Sequence, residues 1–264
     1  MRTATDHSAA TLSEQIAALA REQVLLVGAD FDGTLAPIVT DPAAATGREE
    51  TLAPLRTLSS LARTHVAIIS GRALADLSAR VGSVERAHLV GSHGSEFQSG
   101  FARPLDKDAA ATLAEVAGAV QEVAAATTGS LVELKPASVA FHYRNVDPKL
   151  GAERARMLLD RVGQRPGVHV RHGKCVVEFS VVQGDKGTAL ATLRRWVGAT
   201  AVFFIGDDVT DEDAFAGLHT TDLGVKVGTE PTAAAFRVAD PENVGSVLQE
   251  LAGARAAWVA SQGW

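Results

Sequence analysis

Asp30 and Asp32 stand one residue apart at the end of an apolar run, Val24-Leu25-Leu26-Val27-Gly28-Ala29, and are followed by Gly33-Thr34-Leu35. A carboxylate in such a place can attack phosphorus, and a pair can hold a divalent cation and manage a proton. Three further pieces supply what phosphoryl transfer would need. Ser70-Gly71-Arg72 follows the apolar run Val66-Ala67-Ile68-Ile69 and offers a hydroxyl and backbone N–H groups beside a helix start, a suitable seat for a phosphate oxygen. Lys186, after Gly184-Asp185, brings a positive charge, and Gly206-Asp207-Asp208-Val209-Thr210-Asp211-Glu212-Asp213 brings more carboxylates at the end of another apolar run.

Electrostatics explains why all four would be required together. A carboxylate approaching a phosphate dianion meets like charge, at about 4 kcal/mol per unit-charge pair for ~4 Å and an effective dielectric near 20. Attack therefore requires cations already in place. A hard divalent ion takes oxygen ligands, so two or three carboxylates, a backbone carbonyl and the phosphate itself would complete a Mg²⁺ shell. Each piece also has an ordinary reading: a turn, a helix cap, or acidic residues complementing a helix macrodipole. Yet five carboxylates lie within residues 207–213 and repel one another unless a cation is near, and the four pieces come in chain order, each at a strand exit.

The elements that must position these groups are legible in the periodicity. Residues 24–100 alternate strand and helix: the run ending at Asp30, a helix over Glu49 to Arg63, the strand Val66 to Ser70, a helix from Leu74 to Val81, and the strand Leu89 to Ser92. The alternation resumes with a helix from Lys186 to Val197, a strand from Ala201 to Gly206, a short acidic helix near Asp211 to Leu218, and a strand from Leu223 to Val227. Such alternation implies right-handed crossovers and a doubly wound, Rossmann-like parallel sheet, with ligands at the carboxyl ends of the strands.

Between these stretches the order changes to helix (106–126), strands (130–135 and 138–144, around Pro136-Ala137), helix (149–163) and strands (167–171 and 174–180, turning at Gly173). This predicts a small α+β domain inserted over residues 104–180, a cap on a catalytic core formed by residues 1–103 and 181–264. A module inserted beside strand ends is well placed to act as a lid.

Composition narrows the rest. The net charge of −6 gives no general affinity for nucleic acid or an anionic membrane, so neither is expected as a partner. The single cysteine, Cys175, excludes an intrachain disulfide framework, reads as a small buried apolar side chain, and fits a reducing, cytoplasmic compartment. Met1 to Ala10 is polar and lacks the apolar core of a leader, and Thr11 with Glu14 has capping-box spacing before Leu12, Ile16 and Leu19. No apolar stretch is long enough for a membrane span.

These four ordered motifs resemble those of the haloacid dehalogenase superfamily of phosphatases, matching Asp30-Phe31-Asp32-Gly33-Thr34, Ser70, Lys186 and Gly206-Asp207-Asp208. More narrowly, the chain is similar to the trehalose-6-phosphate phosphatase family over about residues 24–228. That likeness is carried by Leu35-Ala36-Pro37-Ile38 after the acids, Ile69-Ser70-Gly71-Arg72, Gly91-Ser92-His93-Gly94-Ser95-Glu96, Val132-Glu133-Leu134-Lys135-Pro136-Ala137-Ser138-Val139-Ala140-Phe141-His142-Tyr143-Arg144 and Gly206 to Phe215.

The resemblance implies a Mg²⁺-dependent phosphatase of trehalose biosynthesis, hydrolysing trehalose 6-phosphate to trehalose and phosphate through an aspartyl-phosphate. Asp30 would be the nucleophile and Asp32 the acid that protonates the leaving sugar oxygen and then activates water. Asp30, the carbonyl of Asp32, and Asp207 would bind Mg²⁺, with Asp208 and Asp211 in support, while Ser70 and Lys186 complete the catalytic set. Arg72, Glu133, Lys135, Lys174 and Glu178 would bind substrate; Glu133 and Lys135, two apart on a strand, share a face. His93, Glu96, His142 and Arg144 read equally well as substrate contacts or as hydrogen-bonded structure. One departure from the family pattern is Glu178-Phe179-Ser180-Val181-Val182, where Arg-Pro often follows the acidic and apolar pair. Two other readings share many of these residues: a phosphatase or phosphomutase for another sugar phosphate, and a catalytically silent sugar-phosphate-binding module.

Overall fold

The structure, a computed structural model, describes residues 10–39, 44–82, 84–101 and 105–264. The polar segment before residue 10 and the expected domain boundary at 103/104 lie outside the described residues. Along the chain come α1 (Leu12–Leu19), β1 (Leu25–Ala29), α2 (Glu49–Ser60), β2 (Thr64–Ile69), α3 (Leu74–Val81) and β3 (His88–Gly91). A short hairpin, β4 (Glu96–Phe97) and β5 (Gly100–Phe101), is followed by α4 (Lys107–Ala125), β6 (Leu131–Lys135), β7 (Ser138–His142), α5 (Pro148–Leu158), β8 (His169–Gly173) and β9 (Val176–Ser180). The last stretch holds α6 (Lys186–Val197), β10 (Ala201–Gly206), α7 (Glu212–Ala216), β11 (Leu223–Val227), β12 (Phe236–Val238) and α8 (Glu242–Ser261). Two compact units result, one of residues 1–94 with 185–264 and one of residues 95–184.

The first unit is an α/β fold with the parallel strand order β12-β11-β10-β1-β2-β3. Every residue of β1 and β10 is buried, as continuous apolar strands covered on both faces must be. Leu25, Val27, Phe203 and Ile205 pack on one face with residues of α1, α2, α3 and α8, while Phe204 meets Phe215 of α7 edge-on, on the other. Chain order runs outward in both directions from the β1–β10 pair, so their carboxyl ends form the topological switch point where open α/β sheets bind ligands. Asp30 follows β1 directly and Asp207 follows β10. Among the described residues no helix is long and apolar enough to cross a membrane.

The expected helix over 49–63 stops at Ser60, because Leu61 turns extended and Arg63 takes a left-handed φ of 51° to enter β2. The acidic helix expected over 211–218 begins instead as a 3-10 turn, Val209–Asp211, and α5 passes at Leu158 into a π-helical turn, Leu159–Gly163. The capping box at Thr11 and Glu14 forms as its spacing predicts. Helix α8 was not anticipated, although Val244, Val247, Leu248 and Leu251 recur at helical spacing and are all buried. Its Arg255 is fully buried and donates to Thr64 Oγ1 (2.9 Å) and to the carbonyls of Ala20 (3.0 Å) and Arg63 (2.7 Å), stapling α8 to the loops that precede β1 and β2.

In the second unit the antiparallel order is β6-β7-β9-β8. Val139, Phe141, Val177 and Phe179 pack with Val116 and Val120 of α4 and Leu158 of α5. Strand alternation therefore puts Ser138, Ala140, His142 and Glu178 on the opposite face. The β8–β9 turn falls at Lys174-Cys175, one residue beyond the expected Gly173. Cys175 sits there half-buried with a φ of 62°, not as the core side chain its type suggested.

Candidate active site

The first acid is placed by the sheet itself. Asp30 N–H donates to Ile205 O at 2.9 Å, continuing the β1–β10 pairing by one residue and burying the carboxylate to 3% exposure. The chain then folds tightly over it: the N–H groups of Leu35 (2.9 Å) and Ala36 (2.8 Å) both reach Phe31 O. Gly33, at φ 86°, is required here, since a Cβ would collide with the Asp207 carboxylate. Thr34 Oγ1 donates to Asp207 Oδ1 at 3.0 Å, tying the two strand exits together.

Lys186 comes in from the start of α6, which Asp185 caps through Thr188 N–H at 2.6 Å. Its ammonium is buried and donates to Asp30 Oδ1 at 2.5 Å and Asp211 Oδ1 at 2.7 Å. Asp211 is fully buried and also accepts from Asp208 N–H at 2.8 Å, closing the 3-10 turn. One carboxylate oxygen from each of Asp30, Asp207 and Asp211 lies within 4.8 Å of the others.

Three carboxylates against one ammonium leave the cluster two negative charges in excess when all are ionised. Burial pushes Asp207 up to about 6, with repulsion from Asp211 adding to it. Burial likewise raises Asp30 well above the ordinary carboxylate range, against the pull of Lys186 and with the push of Asp211 and Asp207. Burial opposes the charge on Lys186 as well, but Asp211 and Asp30 more than offset it and hold the ammonium protonated. The all-oxygen donor set and the missing double positive charge fit a hard divalent cation.

Asp32 lies apart from that cluster. Arg72, at the helix entry after β2, grips it bidentately through Nε (2.7 Å) and Nη2 (2.6 Å), and its Nη1 binds Asp76 at 2.7 Å. Burial opposes the guanidinium charge, yet these two carboxylates hold it more firmly protonated than usual. Arg72, expected on the substrate, thus has its fork occupied by protein carboxylates. Ser70, buried at the end of β2, accepts from Arg72 N–H at 3.2 Å. Asp208 is exposed, and its carboxylate caps its own turn through Val209 N–H at 2.7 Å, so Asp211 and not Asp208 joins Asp30 and Asp207. His93 takes a left-handed φ of 54° in the turn after β3, with its ring against Gly71.

In the second unit, Glu178 is buried and accepts from Ser138 Oγ (2.5 Å) and Lys135 Nζ (3.0 Å). Lys135 also lies 3.9 Å from Glu133, whose carboxylate is 2.9 Å from His142 Nε2. Burial would raise Glu133, but His142 and Lys135 hold it below the ordinary range. Three of the sequence candidates therefore form one cluster, with Ser138 and His142 joining it. Lys174 stands at the exposed tip of the β8–β9 hairpin, its carbonyl accepting from Arg144 at 3.4 Å. Glu96 lies on β4.

Sequence reasoning passed over two charged groups. Lys226 is buried in β11 and donates to the carbonyls of Asp207 (2.6 Å) and Asp208 (3.3 Å), fixing the acidic loop; a lone lysine inside an apolar strand was its signal. Asp76 was read only as a helix residue, although its spacing of four from both Arg72 and Arg80 is the pattern of helical ion pairs.

A sequence model of the family described as Trehalose-phosphatase matches residues 28–242. A trehalose-phosphate phosphatase of Mycobacterium marinum is 34% identical over 273 residues, covering 94% of this chain and 68% of that protein. An uncharacterized glycosyl hydrolase of Mycobacterium tuberculosis is 37% identical over 244 residues, covering 84% of this chain, which spans only 18% of that relative's length. Among solved structures, the C-terminal domain of the Candida albicans trehalose-6-phosphate phosphatase superposes with a TM-score of 0.78 at 27% identity, covering 93% of this chain and 98% of that one. By the breadth of the family match and the identity to the Mycobacterium marinum relative, the chain belongs to the trehalose-phosphatase family.

Proposed function

We propose that the protein hydrolyses trehalose 6-phosphate to trehalose and phosphate, acting in the cytoplasm with Mg²⁺ as cofactor. The observation that carries this reading is the buried Lys186 ammonium joined to both Asp30 and Asp211, with Asp207 alongside. A binding module has no need of a buried carboxylate that repels its own anionic ligand.

Asp30 Oδ attacks phosphorus, the bond from phosphorus to the sugar oxygen breaks, and an aspartyl-phosphate forms. For this step Asp32 takes up a proton from solvent on one oxygen, releasing one of its two Arg72 N–H bonds, and gives that proton to the departing sugar oxygen, while the other N–H of Arg72 fixes the direction of the carboxyl group. In the second displacement Asp32 takes a proton from water, the water oxygen attacks phosphorus, and the bond to Asp30 breaks to release phosphate. Lys186 holds Asp30 in place and offsets negative charge on the transferring group, while Ser70 offers its hydroxyl to a phosphate oxygen. Asp30, Asp207 and Asp211 would hold Mg²⁺, which supplies positive charge against the phosphoryl oxygens. Glu133, Lys135 and Glu178 offer charge-assisted hydrogen bonds to sugar hydroxyls.

A phosphate-release screen over a panel of sugar phosphates tests the reading. Trehalose 6-phosphate should be turned over far faster than glucose 6-phosphate. Equal rates would leave a general sugar phosphatase, and retention of phosphate on an isomerised sugar would indicate a mutase.

A further inference from the structure

Asp32 is the inner end of a chain of alternating charges that continues along α3. Arg72 takes both oxygens of Asp32 and one oxygen of Asp76; Asp76 in turn accepts from Arg80 Nε on its other oxygen at 2.7 Å, and Arg80 Nη1 reaches Ala45 O at 3.2 Å. Asp76 and Arg80, four apart in α3, share one face of the helix, and Arg72 stands two residues before its first turn. An arginine side chain left to itself samples many rotamers and gives up that freedom when ordered. Here the far edge of the Arg72 fork is already tied down by Asp76, and Asp76 is tied down by Arg80. Burial works against the Asp76 charge, but Arg80 and Arg72 hold it ionised well into acid.

We propose that Asp76 and Arg80 are positioning residues for proton transfer at Asp32, acting through Arg72 and touching neither substrate nor metal. The inference rests on the role given above to Asp32 as acid and base. With the relay intact, the Arg72 guanidinium stays in one plane and Asp32 is presented in one orientation. Without Asp76, Nη1 loses its protein partner, the fork swings, and the carboxyl group moves away from the line of the leaving oxygen. Misalignment of that kind lowers kcat for esters whose alkoxide must be protonated as it departs. An ester with a stable phenolate leaving group does not require that proton, so its first displacement is spared, whereas the second displacement, in which Asp32 takes a proton from water, is shared by every ester and slows alike for all.

The test compares Asp76→Asn with the parent chain on trehalose 6-phosphate, glycerol phosphate and 4-nitrophenyl phosphate. In single turnovers with enzyme in excess, where release of the alcohol reads the first displacement alone, the two alkyl esters should slow about 10-fold, a fraction of the ~10²–10⁴-fold that proton transfer typically supplies. Substrate affinity should be nearly unchanged, and single-turnover release of 4-nitrophenol from the aryl ester should slow less than about 2-fold. Arg80→Met, which removes only the outermost link, should show the same split at about 3-fold, and Asp76→Glu should recover part of the loss. Equal losses of this single-turnover rate on all three esters, or no loss on any, overturns the relay. Should the parent turn over glycerol phosphate but not the trehalose ester, only the substrate assignment falls and the relay is still tested. A parent silent on every ester overturns both.

Discussion

Lys186 Nζ and Asp30 Oδ1 meet at 2.5 Å across 156 residues of chain, and the whole second unit is threaded between them. The contact brings a helix N-terminus and a strand exit together in a buried setting, where a charge without a partner is costly. Asp30→Asn should abolish phosphate release by ~10⁴-fold or more, as loss of a nucleophile does. It also removes one of three mutually repelling carboxylates while leaving Lys186 paired with Asp211. The metal-free variant should therefore melt at or above the parent temperature. Near-parent turnover would rule out covalent catalysis at Asp30.

Metal and protons should compete for the same carboxylates. Asp207 is raised from 3.8 to about 6 and Asp30 is raised as well, so between these values the folded chain holds more protons than the unfolded one. The stability these groups contribute is therefore greatest on the acid side and falls as pH rises through that window. A divalent ion restores it at the higher pH. Saturating Mg²⁺, worth about 2.7 kcal/mol at a hundredfold excess over Kd, should raise the melting temperature at about pH 8. The rise should shrink markedly near about pH 5, where protons hold the site. Glu133 and Asp76, held low, pull overall stability the opposite way, so the readout is the shift on adding Mg²⁺ at each pH. An equal shift at both values, or full activity in excess chelator, would remove the metal from this cluster.

Arg255 carries a stability prediction free of any catalytic role. Its guanidinium satisfies the carbonyls of Ala20 and Arg63 and the Thr64 hydroxyl, all at the end of the sheet where β1 and β2 begin. Arg255→Met fills similar volume but leaves those acceptors without their donor, at about 1–3 kcal/mol for each that water does not reach. Denaturant unfolding should show a loss of at least about 3 kcal/mol, with kcat of the remaining folded enzyme unchanged. A variant as stable as the parent would show that the staple is dispensable.

Much of the first unit was legible because its signals are local: a Val- and Leu-rich run ending in Asp30, another ending in Asp207, and helical spacing between them. The four pieces, three at strand exits and Lys186 at a helix start, could be seen singly, and their order suggested phosphoryl transfer. Partner choice was not local. Whether Asp208 or Asp211 joins Asp30 depends on a 3-10 turn that aims Asp211 inward, and adjacent aspartates give no sign of that turn. Arg72 read as a substrate-binding residue beside the Ser70-Gly71 turn; its engagement with Asp32 crosses 40 residues. Helix α8 had a readable apolar stripe, but its importance comes from Arg255, and an arginine in the middle of a helix ordinarily reads as surface.

The last prediction concerns the polar face of the small sheet. Glu178 is 8% exposed yet keeps its carboxylate between Lys135 and Ser138, while Glu133 is held by His142. Ordered charged groups of this kind can grip hydroxyls without first losing much side-chain freedom, and each charge-assisted bond contributes roughly 1.5–3 kcal/mol. Glu178→Ala should therefore slow trehalose 6-phosphate hydrolysis by about 10- to 100-fold. Binding energy remote from the reacting bond helps orient the phosphoryl group, so kcat should fall along with affinity. Turnover of 4-nitrophenyl phosphate, which has no second sugar, should change little. The contrast with Asp76→Asn is in the pattern of loss: the Glu178 effect follows sugar size and the Asp76 effect follows leaving-group basicity. Glycerol phosphate separates the two, since it should be spared by Glu178→Ala and slowed by Asp76→Asn. If Glu178→Ala slowed glycerol phosphate and the disaccharide ester alike, the small sheet would have no part in reading the sugar.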